Sequence, residues 1–119
     1  MPSTKSLSTI IAAATSNAAA GTTTGTAVDL TTKYGGIITG NITNGATGPT
    51  VQATAFVETS GDNVNWDEVY RVGGDVTANL VTPISYDVHE GVMYVRVRVT
   101  GNTGQAVTCK AVMQVLATL

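Results

Sequence analysis

The sequence predicts an all-β protein: a single antiparallel β-sandwich, jelly-roll or immunoglobulin-like in topology, with an extended N-terminal arm. Three observations lead there. Thr, Val, Ala and Gly dominate, while only 12% of the 119 residues are charged and 5% aromatic, a mixture that favours strands and tight turns over helices. Apolar residues recur at every second position in short runs, which is the period of a half-buried strand. Clusters of Gly, Asn, Asp and Pro separate those runs at intervals suited to a sandwich. A chain of this length makes one domain with a sizeable core, divided here into an arm at residues 1–24 and a sandwich domain at residues 25–119.

The arm is rich in Ser, Thr, Ala, Asn and Gly and holds one apolar stretch, Leu7 to Ala14. Its Ala run favours helix, but β-branched Thr9, Ile10 and Ile11 favour extended chain. With too few apolar groups to offset its own ordering, it stays mobile or docks on the domain or on a neighbour. Leu7, Ile10 and Ile11 are its candidate contact residues. The domain proper begins at Thr26 to Thr31, where Val28 and Leu30 share a face opposite Asp29 and Thr31. Lys33-Tyr34-Gly35-Gly36 turns the chain into Ile37 to Thr43, and Gly40 marks a bulge or a closely approaching neighbour there.

After the breaker-rich stretch Asn44 to Pro49, the residues Val51, Ala53, Ala55 and Val57 alternate with Gln52, Thr54, Phe56 and Glu58. Ser60 to Asn63 turns the chain into Trp66 to Val72, where Glu68 shares a face with Trp66, Tyr70 and Val72 and so needs an edge or a partner. Leu80, Ile84, Tyr86 and Val88 then follow in one phase, and Pro83 assigns that stretch to an edge, a bend or a break between two short strands.

The last two strands are expected to form a hairpin on which the rest packs. Met93, Val95, Val97 and Val99 share one face, with Tyr94, Arg96 and Arg98 on the other; Val107, Cys109, Ala111, Met113 and Val115 repeat the pattern. Joining them through Gly101-Asn102-Thr103-Gly104, with Gly104 at positive φ, pairs Val99 with Val107, Val97 with Cys109 and Val95 with Ala111. Arg96 then faces Lys110, with Arg98 one step along. Like charges directly opposite destabilise a sheet, so this stripe needs carboxylates from an adjacent strand or from another subunit. Arg96, Arg98 and Lys110 are therefore candidate partner-binding residues.

Composition narrows the function by exclusion. A net charge of −2 and a pI near 5.0 give no basic field to hold a phosphate backbone, so nucleic acid is not an expected partner. Cys109 is the single cysteine; it cannot form an internal disulfide and reads as a small buried hydrophobe. No apolar run approaches the roughly 20 residues needed to cross a bilayer, and Ile10 to Ala14 makes no convincing leader, so a membrane is not expected and folding in a bacterial host cytoplasm is. Asn63 to Asp67 has the alternating oxygen ligands of a calcium loop, but Glu68 stands where the sharp turn needs Gly, and Gly74 stands where the closing Glu belongs. His89 is the only histidine and has no second metal ligand or nucleophile at a useful spacing. No catalytic, metal-binding or cofactor-binding residues are assigned, and a non-enzymatic role is expected.

Three stretches carry a resemblance: Ala27 to Gly36 (AVDLTTKYGG), Ile42 to Thr50 (ITNGATGPT) and Ser60 to Trp66 (SGDNVNW), extended by Tyr94 to Val99 and Gly101 to Gly104. Together they resemble small β-sandwich virion proteins of tailed bacteriophages. That resemblance implies a capsid decoration (cement) protein, or a neck, tail or baseplate component, acting without cofactors in the virion. It implies the major capsid protein or other virion proteins as partners and a homo-oligomer as the working form. A carbohydrate-binding or receptor-binding module is the alternative from another class, with Tyr34, Trp66, Tyr70, Tyr86 and Tyr94 as candidate stacking rings.

Overall fold

A computed structural model describes residues 3–118. Nine strands follow in order: β1 (Thr4–Asn17), β2 (Thr22–Thr24), β3 (Val28–Asp29), β4 (Gly36–Asn44), β5 (Thr54–Ser60), β6 (Asp67–Gly73), β7 (Val81–Val88), β8 (Tyr94–Thr100) and β9 (Val107–Thr118). They form two antiparallel sheets, the first ordered β1-β9-β4-β7 and the second β2-β8-β5-β6, with β3 also on β8. The fold is the β-sandwich the alternation predicts. Its shortest dimension is 18 Å, which fits two sheets about 10 Å apart with side chains on both outer faces.

Alternation decides which residues meet in the core. Val95, Val97 and Val99 of β8 and Ala55 and Val57 of β5 point inward from one sheet, and Ile38, Ile42, Cys109, Ala111 and Met113 point inward from the other. Most of these side chains are small or β-branched, so the sheets can approach closely without large voids. Gly40 answers to the close neighbour expected of it, because a side chain there would strike the Lys110 carbonyl of β9.

The predicted hairpin does not form. β8 pairs with β5, setting Val97 beside Val57 and Val99 beside Ala55, while β9 pairs with β4, setting Cys109 beside Ile42. The inward phase of both strands is as the sequence indicates, yet they lie in opposite sheets. Residues 101–106 cross between the sheets, with Gly101 and Gly104 at positive φ (100° and 84°), which glycine tolerates best. Asn102 is fully buried in this corner.

The expected arm is extended, but over its described part it belongs to both sheets. β1 lies along β9 from Thr4 to Asn17, and β2 continues on β8. Register shifts between Thr9 and Ile11 and between Ile11 and Thr15, with Ala14 at φ 60°, form a bulge. The bulge turns two consecutive residues inward, so that both Ile10 and Ile11 are 3% exposed. Ile10 closes the gap toward the second sheet, where its carbonyl accepts the Thr26 N–H and a side chain at Gly25 would strike it. Gly25 is therefore a point of close packing, not a boundary between arm and domain.

The other open side of the sandwich is closed by Tyr70 of β6 and Tyr86 of β7, whose rings stack 5.1 Å apart across the two sheets. Pro83 lies on β7, an edge strand, as a residue without an N–H requires.

Candidate interaction surfaces

The outer face of the second sheet carries an ordered row of arginines and aromatic rings. β8 presents Arg96 and Arg98 outward, and β5 places Glu58 opposite Arg96 and Phe56 opposite Arg98. Glu58 accepts from both guanidinium groups, Arg96 Nε at 2.9 Å and Arg98 Nε at 3.3 Å, and is only 7% exposed. Each guanidinium also lies over a ring: Arg96 is 4.1 Å from the Trp66 centroid and Arg98 is 4.6 Å from that of Phe56. Arg71 of β6, paired with Phe56 from the neighbouring strand, lies 5.2 Å from the same ring centroid and pairs with Glu68 at 2.6 Å. The rings flatten the arginine stems and the carboxylate fixes their heads, so this face is rigid and holds three cations against two anions.

The stripe thus finds its carboxylate within the chain, on an adjacent strand. Lys110 is not part of it: that residue projects from the outer face of the first sheet, beside Asn41, because β8 and β9 occupy different sheets. Glu68, whose need for a partner was legible, is answered by Arg71. Val57 pairs with Tyr70 and the next residue, Glu58, with Glu68, so Val69 forms a bulge on β6 that alters the strand's phase, and the residues of β6 are largely exposed.

The outer face of the first sheet is more apolar. Leu7, Gln114, Ile37 and Asp87 form one row across its four strands, and Lys5 stands beside Leu116 one step away. Lys5, Gly36, Ile37, Asp87, Gln114 and Leu116 line a shallow cleft of about 420 Å³. Leu7 is 68% exposed and remains available as a contact residue. Ile10 and Ile11 do not, since the bulge commits both to the core.

Other polar groups maintain the fold. Cys109 is buried, its thiol donates toward the Thr15 carbonyl, and burial pushes its pKa up. Asp62 caps its turn by accepting from Val64 N, Asn65 N and Asn65 Nδ2; with the Ser60 hydroxyl, these bonds hold its carboxyl far below the usual range. Among the described residues no group of three or more His, Cys, Asp and Glu side chains gathers around a common point. Among the described residues no helix is long and apolar enough to cross a membrane.

No family model matches the sequence, and no curated protein matches it. Solved structures do. A chain in the structure of infectious bursal disease virus, Gx strain, superposes with TM-score 0.61 at 10% identity, covering 97% of this chain and 32% of that one. A chain of the T13 particle of the same virus gives TM-score 0.59 at 10% identity, with 93% of this chain and 30% of that one covered. PirA gives TM-score 0.54 at 11% identity over 84% of this chain and 89% of its own. This chain spans about a third of the length of the viral chains it matches. At such identities the likeness is one of fold, and it defines the class: a two-sheet, jelly-roll-like β-sandwich.

Proposed function

We propose that this chain is a non-enzymatic virion structural protein of a tailed bacteriophage, a capsid decoration protein that binds the major capsid protein as a homo-oligomer. The observation that carries the proposal is the superposition of nearly the whole chain on a portion of the chains that build an icosahedral virus particle. Two outer faces support it. One is braced by its own ion pairs and the other carries exposed Leu7 and Ile37, and such surfaces bind through shape and repetition more than through a deep pocket. A neck, tail or baseplate position would use the same surfaces.

The carbohydrate-binding alternative draws less support. Trp66 is covered on one face by Arg96, and Tyr70 and Tyr86 stack on each other, which reduces the ring surface left for a sugar.

Mass spectrometry of purified particles from the genome that encodes the chain tests the proposal. The expected result is the protein at a copy number in simple ratio to the major capsid protein. Its absence from the particles, or a handful of copies each, would overturn the decoration role.

A further inference from the structure

A β-sandwich has sheet edges whose unpaired backbone groups can recruit another strand, and natural proteins blunt most of them. Here β7 carries Pro83, β6 is itself bulged at Val69 and exposes Asp67, Glu68 and Arg71, and β2 and β3 are three and two residues long. β1 differs. From Lys5 to Thr9 it runs in unbroken register along β9, and its other side meets no strand among the described residues. Its single charge there is Lys5. On its outer face stands Leu7, at 68% exposure the most exposed large apolar side chain in any strand.

We propose that β1 is a homotypic docking edge, on which a second copy of this chain adds its own β1 antiparallel about a two-fold axis at Leu7. The register follows from the side chains. A strand paired with its own copy about an axis perpendicular to the sheet sets residues of like phase opposite each other. Centring on Leu7 places Leu7 against Leu7 of the partner subunit and Lys5 against Thr9 of the partner subunit, while Ser6 meets Ser8 of the partner subunit on the other face. Centring on Lys5 would oppose two lysines and leave Leu7 in water. The Leu7-centred register covers the apolar side chain, separates the cations and pairs hydroxyls. The bulge after Thr9 ends the contact before Ala12 to Ala14. The two first sheets then form one continuous sheet, with the Leu7-Gln114-Ile37-Asp87 row repeated across the axis.

This inference supplies a contact for the homo-oligomer of the reading above, but it stands on the edge geometry alone. Cα atoms directly opposite in an antiparallel pair lie roughly 4.5–5.5 Å apart, within disulfide range. Leu7→Cys should therefore link to its copy on mild oxidation about tenfold faster than Thr9→Cys, which faces Lys5 and not itself. Cys109 is buried and serves as the silent background thiol. By sedimentation equilibrium the wild-type chain should show twice its 12.1 kDa mass, and Leu7→Lys, which opposes two cations at the axis, should return it to the monomer. Equal masses for wild type and Leu7→Lys at every concentration, or Leu7→Cys linking no faster than Thr9→Cys, would overturn the proposal. Both readouts use the isolated chain, so failure here is distinct from absence of the protein from particles.

Discussion

Asn17 and Asn102, 85 residues apart in the chain, meet in the core with Asn17 Nδ2 donating to Asn102 Oδ1 at 2.5 Å. Asn102 Nδ2 lies within hydrogen-bonding distance of the Asn17, Ala18 and Gln105 carbonyls, and Asn17 Oδ1 accepts from the Thr23 hydroxyl. The pair thus fastens the β1–β2 turn to the corner where the chain crosses from one sheet to the other. Asn102→Leu keeps the size but orphans these buried groups, each costing about 1–3 kcal/mol. A loss of roughly 3 kcal/mol is expected in urea unfolding; a change below about 0.5 kcal/mol would show that the corner holds without the pair.

The Glu58 site sets a second expectation. Reversing Arg96 and Arg98 to Glu would put three carboxylates where one buried carboxylate now has two donors. Breaking a buried pair typically costs about 3–5 kcal/mol, so Arg96→Glu with Arg98→Glu should unfold at much lower urea. Arg71→Glu should change stability by less than about 1 kcal/mol, because its side chain is 66% exposed and solvent screens the pair. Equal midpoints for the two variants would show that Glu58 is not held as described.

How much of this was legible in the sequence differs from residue to residue. The inward faces of β8 and β9 were, because a period of two marks a face. It says nothing of the neighbour: Val97 and Cys109 show the same alternation whether they pair in a hairpin or belong to opposite sheets. The burial of Ile10 and Ile11 was hidden for a related reason, since two consecutive inward residues require a bulge that no periodic pattern displays. Arg96 and Arg98 were legible as cations in need of a carboxylate. Glu58 was visible only as a polar residue alternating with Val57, and the register that brings it to Arg96 depends on non-local pairing. The Trp66 and Phe56 stacking followed from the same pairing and left no separate signal.

The turn at Asp62 gives a pH dependence of definite sign. Hydrogen bonds from Asn65 and Val64, with smaller contributions from the Ser60 hydroxyl, depress its pKa below the usual 3.8 in the folded chain. Asp29 and Asp75 are depressed in the same way by bonds from Thr31 and from Thr77 and Val76. A carboxyl depressed in the folded state contributes stability that is present above its unfolded value and lost as pH falls through the folded value. Stability should therefore decline below about pH 4. Asp62→Asn keeps an oxygen acceptor for the turn but removes the titration, so its urea midpoint should fall less steeply on acidification than that of the wild type. Parallel acid limbs for the two proteins would remove Asp62 from the linkage.

Removing residues 1–20 should abolish independent folding. The loss takes β1 from the edge of the first sheet, exposing the backbone of β9 from Val107 onward, and withdraws Ile10 and Ile11 from the core. Unpaired backbone groups and an open apolar seam both favour aggregation. Truncation alone cannot separate these two effects, so a point substitution completes the test. Ile10→Ala leaves the strand in place and removes only the plug beneath Gly25, which should cost about 2–4 kcal/mol if the cavity does not collapse. The truncated chain is expected to be insoluble or to lack a cooperative thermal transition, whereas Ile10→Ala should melt cooperatively at a lower temperature. A truncated chain that unfolded cooperatively at the wild-type urea midpoint would show that β1 adds nothing to the core and that the sandwich begins after residue 20.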